Sequence, residues 1–208
     1  LDVETTISNK GNPFDQSNKL MMVGLLNDKE MGVYDIEYSV DPYKELLDNI
    51  QLAVDAADVL VGFNIKFDLH WLKRYGINFS KKRIWDCQLV EFILRNQSAA
   101  YPSLNATAEY YDLGTKLDEV KENYWKNGID TNEVPKEILA DYLKRDVELT
   151  EQVMSKQMEE LAKRPELKRL VSLHNQDLLV LQEMEYNGLK YDYDKSTVLG
   201  DELDEQIS

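Results

Sequence analysis

Leu1-Asp2-Val3-Glu4-Thr5-Thr6-Ile7-Ser8 opens the sequence with two carboxylates, Asp2 and Glu4, on either side of Val3. In an extended chain residues two apart share a face, so both acids project from one side of a strand. Like charges at that separation raise one another's pKa and oppose folding unless cations lie between them. Cross-strand ion pairs are the ordinary remedy for an isolated Asp-x-Glu, and a bound cation is the other. The choice between them depends on what the remaining chain delivers to that face.

Outward from this strand, Lys19 to Leu26 (KLMMVGLL) is a nearly continuous apolar run of strand length. NDKE turns the chain, and MGVYDIEY alternates Tyr34, Ile36 and Tyr38 against Asp35 and Glu37, which completes a three-strand meander. Asp41-Pro42 start a helix in which Leu46, Ile50 and Val54 recur at helical spacing. DVLVGFN follows as a short buried strand, and FDLHWLKRYG as a helix that Gly76 ends. IWD is extended, and Asp86 caps the helix CQLVEFILRN. From Pro102 to Leu161 the pattern is helical, broken at Gly114 and by NGIDTNEVP. Thr131 or Asn132 caps the long helix that follows, with Pro135 in its first turn. Another helix runs from Glu166 towards Gly188, NGLKYDYD breaks it, and the tail begins one more. Strands, then strand-helix units, then helices predict an α/β fold, a mixed sheet flanked by helices with a helical C-terminal extension.

At 208 residues the chain is long enough for one compact domain and an appendage. No window approaches the roughly 18 apolar residues of a membrane span, and no basic stretch precedes an apolar one at the start. The expectation is an intracellular protein that is neither secreted nor membrane-bound. Cys87 is the single cysteine, which leaves no intramolecular disulfide and no thiolate zinc cluster, and His70 and His174 stand far apart. Metal chemistry here must be carboxylate chemistry. The net charge of −15 argues against broad capture of duplex nucleic acid, which relies on a surplus of Lys and Arg. It leaves room for a nucleic-acid enzyme whose cations are bound metals.

Runs such as Glu159-Glu160 and Asp201-Glu202 read as solvated helix surface. Two further acids do not. Helical spacing puts Asp68 on one face with Trp71, Leu72 and Tyr75, and leaves His70, Lys73 and Arg74 on the other side. A first-turn acid favoured by the helix dipole is the plain alternative for Asp68. In the long helix Asp146 shares a face with Leu139, Tyr142, Leu149 and Val153, too far from the N-terminus for that explanation. A buried carboxylate there must be protonated, paired with a cation from another element, or bound to metal. Four such acids on three elements favour divalent ions between them, and ligands that are all oxygen suit Mg²⁺ or Mn²⁺.

The residues resemble the DEDD superfamily of 3′-5′ exonucleases at three places in order. Asp2-Val3-Glu4-Thr5 stands as D-x-E-T, Asn64-Ile65-Lys66-Phe67-Asp68 as N-x-x-(F/Y)-D, and Tyr142-Leu143-Lys144-Arg145-Asp146 as Y-x-x-x-D. Asp141, not histidine, stands five residues before Asp146, which selects the tyrosine-type branch (DEDDy). LVLQEMEYNGLKYDYDKS is similar to the passage by which family A (DNA polymerase I-like) enzymes leave the proofreading domain and enter the thumb. The resemblance covers nearly the whole chain and implies a ribonuclease H-like exonuclease domain over 1–162, then a helical linker and the truncated start of a thumb over 163–208. It also implies a piece of a longer polypeptide, since Leu1 leaves no room for residues that should precede Asp2.

By that resemblance two divalent ions, Mg²⁺ or Mn²⁺, are the cofactors. Asp2 bridges them, Glu4 and Asp146 complete the first, Asp68 holds the second, and Tyr142 orients the attacking water. Thr5, Thr6 and Asn64 adjoin the motifs and are expected to meet the terminal nucleotide. The implied partners are a single-stranded DNA 3′ end and a polymerase domain of the same parent chain, with the isolated fragment a monomer that binds DNA weakly. An RNA-trimming enzyme of the ribonuclease D kind would share every catalytic residue. A catalytically silent scaffold domain is the reading from another class, and it gives no physical reason to keep mutually repelling charges.

Overall fold

The computed structural model describes residues 1–27, 30–36, 38, 43–98 and 101–207. The expected helix start at Asp41-Pro42, the turn residues at 28 and 29, and Glu37 lie outside them. Strands β1 (Asp2–Thr5), β2 (Leu20–Asn27) and β3 (Glu30–Asp35) form the antiparallel meander, in the order β1-β2-β3. Helix α1 (Tyr43–Ala56) follows, then β4 (Val59–Gly62), α2 (Ile65–Arg74), β5 (Arg83–Asp86) and α3 (Cys87–Leu94). β4 and β5 pair in parallel.

The fold is α/β, but among the described residues the strands make two ladders rather than one continuous mixed sheet. The Leu1 amino group, which donates to Val61 O at 2.9 Å, joins the start of β1 to β4.

β2 is buried on both faces, as its unbroken apolar run requires. Val23 packs with Ile50, Ile65 and Leu69 in one core cluster, and Met22 with Leu139, Tyr142 and Leu143 in another. The second cluster belongs to the 28-residue helix α6 (Lys136–Lys163), reached through α4 (Leu104–Tyr110) and α5 (Glu119–Asn123). Pro135 stands just before the first turn of α6, not within it. Thr131 lies in a separate 3₁₀ turn that Asp130 caps. Capping signals crowded into 130–135 serve two short-range structures where the spacing suggested one.

Gly24 sets how closely α6 approaches the sheet. A Cβ there would lie 2.9 Å from both Leu143 Cγ and Val147 Cγ2. Gly24→Ala is therefore expected to cost about 1–3 kcal/mol by overpacking, read from denaturant unfolding. A stability within about 0.5 kcal/mol of the parent would show that α6 has slack here.

Helix α7 (Lys168–Asn187) packs across α2, α3 and β5, and α8 (Tyr193–Ile207) has no buried residue. The expected boundary at 162/163 falls at the last residue of α6, five residues before α7 begins. His70, assigned by spacing to the outer side of α2, is 4% exposed. Its Nε2 pairs with Glu185 at 3.0 Å and its Nδ1 contacts Gln182 Nε2 at 3.3 Å. Phe14 meets the imidazole edge-on and Tyr186 stacks near it. Helical spacing assigned the face correctly as distinct from that of Asp68; α7 is what covers it.

Candidate functional site

β1 presents Asp2 and Glu4 towards α6. Across the ladder Asp2 faces Gly24 and Glu4 faces Met22, so no cross-strand cation neutralises either. That removes the ordinary explanation for the pair. Asp146 enters from α6 in its third turn, and the three carboxylates each offer an oxygen such that these atoms all lie within 4.8 Å of one another. Asp146 is 3% exposed and Glu4 6%, while Asp2 is half-buried.

Asp68 reaches the same strand from the first turn of α2. Its Oδ1 accepts the Val3 N–H at 3.0 Å, between the two acids of β1. Asp68 thus takes a backbone donor that the β1–β2 ladder does not use, and its 2% exposure shows it is no solvated helix-start acid.

The electrostatics follow from burial and crowding. Burial, then the Asp146 charge, pushes the Asp2 carboxyl up to about 7. Burial and the neighbouring Asp2 push Glu4 and Asp68 well above the usual carboxylate range. Burial raises Asp146 as well, against the pull of Lys116. Tyr142, one turn before Asp146, is 6% exposed, and burial holds its phenol well above its usual value. Trp125 packs edge-on against its ring at 5.6 Å.

Lys116, which the sequence reading did not single out, forms an ion pair with Asp146 Oδ2. Burial works against its ammonium, and the adjacent Asp146 charge outweighs that and raises its pKa. The cation from another element, weighed as one alternative for Asp146, is therefore present. It satisfies one oxygen only: Asp146 Oδ1 is buried without a hydrogen-bond partner.

The flanking residues divide by what their atoms already do. Thr6 Oγ1 donates to Asn18 Oδ1 at 3.0 Å and accepts from Lys19 N at 2.8 Å, so its hydroxyl is committed to the loop joining β1 and β2. Thr5 Oγ1 donates to Thr6 O at 3.1 Å. Asn64 is exposed, in the left-handed region at φ 60°, a conformation Asn tolerates better than most residues. Its side chain does not cap α2.

The start of α2 is held instead by Asp86, at the end of β5. Asp86 Oδ1 accepts from Gln88 N, Leu89 N and Asn64 N, and Oδ2 from Ile65 N, at 2.9–3.2 Å. The expected cap of α3 is present, and the same carboxylate also anchors the helix that carries Asp68.

A buried oxygen without a partner, set among carboxylates that raise one another's pKa, is the environment a hard divalent cation satisfies. Asp2, Glu4 and Asp146 could hold such an ion directly. Asp68 could hold a second through its place beside Asp2.

No family model matches the chain. The chain is similar to DNA polymerase DpoZ of Salmonella phage PMBT28, 27% identical over 158 residues, covering 66% of this chain. It spans 24% of the length of that curated relative. The similarity relates the chain to a DNA polymerase. Among the described residues no helix is long and apolar enough to cross a membrane.

Proposed function

We propose that the chain is the 3′-5′ exonuclease part of a DNA polymerase of family A. In this reading residues 1–162 form a ribonuclease H-like proofreading domain, and 163–208 lead towards the thumb. The observation that carries it is the meeting of Asp2, Glu4 and Asp146 within 4.8 Å around a buried, unpartnered Asp146 oxygen, with Asp68 bonded to the strand between Asp2 and Glu4. The similarity to a phage DNA polymerase supports DNA as the substrate.

Asp2, Glu4 and Asp146 would hold one divalent ion and Asp68, with Asp2, a second. When bound, such a pair supplies an activated water and stabilises charge on the leaving 3′ oxygen. The chain's own residues do the rest. Tyr142 stays a neutral phenol through the physiological range, so its hydroxyl orients the attacking water and does not abstract its proton. Asn64, exposed at the turn before Asp68, and Thr5, beside Glu4, are assigned to the terminal nucleotide in this reading. A frayed single strand suits this site because only an unpaired end can bring its last phosphate to buried carboxylates. The chain's own charge of −15 leaves delivery of that end to the polymerase domain of the parent chain.

The test is shortening of end-labelled single-stranded DNA and RNA in Mg²⁺ or Mn²⁺, with Asp146→Ala as control. Metal-dependent release of mononucleotides from the DNA 3′ end, lost in Asp146→Ala, is the expected result. A strong preference for RNA would move the assignment to ribonuclease D-like trimming. No shortening of either would leave a silent scaffold.

A further inference from the structure

The irregular segment between α4 and α5 delivers Lys116 to the carboxylates, and its backbone is clamped just before and at that residue. Arg145, next to Asp146 on α6, donates from Nε to Thr115 O at 3.1 Å and from Nη2 to Leu113 O at 3.2 Å. The Lys116 N–H donates to Asn105 Oδ1 at 2.9 Å, and Gly114 makes the turn at φ +86°. From this fixed base the side chain crosses the Tyr142 ring, Nζ lying 5.1 Å from its centroid, and ends on Asp146 Oδ2.

We infer that Lys116 is an exchangeable internal cation. It holds Asp146 while no metal is bound and yields that carboxylate to a divalent ion, so the strength of the Lys116–Asp146 pair sets the metal concentration at which the site fills. The inference rests on the metal-site reading proposed above.

Three features carry it. Lys116 compensates Asp146 through one oxygen and leaves Asp146 Oδ1 without a partner among three carboxylates that meet within 4.8 Å, so the cluster keeps a deficit of positive charge. A divalent ion on Oδ1 would share one carboxylate with the ammonium on Oδ2, and the two cations would repel at short range in a poorly solvated site. The Lys116 side chain is 22% exposed against 5% for that of Asp146, which gives the lysine a path outward while the aspartate stays in place. Because the backbone is held through Thr115 and Asn105, the displaced ammonium remains beside the site.

The experiment is Mn²⁺ titration of the metal-stripped chain by calorimetry, with thermal melts of the same samples. The variants are Lys116→Met, Lys116→Gln, Lys116→Arg and Asp146→Asn. Loss of the charge in Lys116→Met is expected to tighten Mn²⁺ binding at least about tenfold and to lower the metal-free melting temperature, because Asp146 then loses its partner. Lys116→Gln, which keeps a polar contact, should tighten binding in the same direction and serves if the methionine variant does not fold. Lys116→Arg keeps the charge and should bind Mn²⁺ no more tightly than the parent.

Binding unchanged or weakened in both Lys116→Met and Lys116→Gln, while the parent binds and Asp146→Asn does not, would overturn the exchange and leave the metal site standing. Failure of the parent itself to bind Mn²⁺ would remove both.

Discussion

Asp2→Asn is expected to abolish metal-dependent 3′-end shortening and, at the same time, to stabilise the metal-free protein at pH 7.5. The activity loss should be at least about 10²–10³-fold, the scale on which single groups that stabilise transition-state charge contribute. The gain in stability follows from burial and the Asp146 charge, which push the Asp2 carboxyl up to about 7, against about 3.9 in an unfolded chain. The folded protein therefore binds a proton more tightly than the unfolded one between those values. Unfolding releases it there, so stability falls as pH rises from about 4 to about 7 and levels off above.

Glu4 and Asp68, also raised, act in the same direction. Removing the Asp2 charge should return about 2–4 kcal/mol at pH 7.5, the lower figure allowing for solvent screening of a half-buried group. Denaturant unfolding in EDTA from pH 5 to 8 checks this. Stability that rises with pH across that range in the parent would mean the acids are not in conflict. Millimolar Mn²⁺ at pH 8 should recover the loss in the parent and not in Asp2→Asn.

The second large effect belongs to a residue outside the carboxylate cluster. Asp86→Ala should cost about 3–5 kcal/mol, because a residue only 3% exposed leaves four backbone N–H donors without their acceptor. Asp86→Asn keeps one carbonyl oxygen and should recover about half. Urea unfolding distinguishes the two, and a loss under about 1 kcal/mol for alanine would show that water replaces the carboxylate. Activity should fall with the folded fraction, since α2 carries Asp68 into place.

What the sequence revealed of the site depended on periodicity. Asp2 and Glu4 alternate with Val3, Asp68 shares a helical face with Trp71 and Leu72, and Asp146 sits on an apolar stripe. Each is an acid on a face that a regular element buries, and such placement is readable locally. Lys116 was not legible because it lies between α4 and α5, in a stretch that the helical pattern from Pro102 to Leu161 did not resolve, thirty residues before its partner. Its only cue is the Gly114 break just before it.

Asp86 was legible as a cap of the next helix, since that bond is local. Its hold on Asn64 and Ile65 is not, because it depends on β4 and β5 lying in parallel. The burial of His70 was out of reach for a related reason: helix geometry names the face of a side chain but not the element that will cover it. The two-ladder sheet was equally out of reach, since strand number is local and strand continuity is not.

The docking of α7 bears on where the chain may be shortened. Asn175 receives the Asp86 N–H, Gln182 and Glu185 contact His70, and Glu185 also pairs with Lys66 at 2.6 Å, all on elements that precede residue 162. A shorter chain cut at the sequence boundary after 162 would strip the outer side of α2 and leave the imidazole of His70 open to water. The smallest unit that keeps Asp68 supported ends past Asn187, whereas α8, with nothing buried, is dispensable to it.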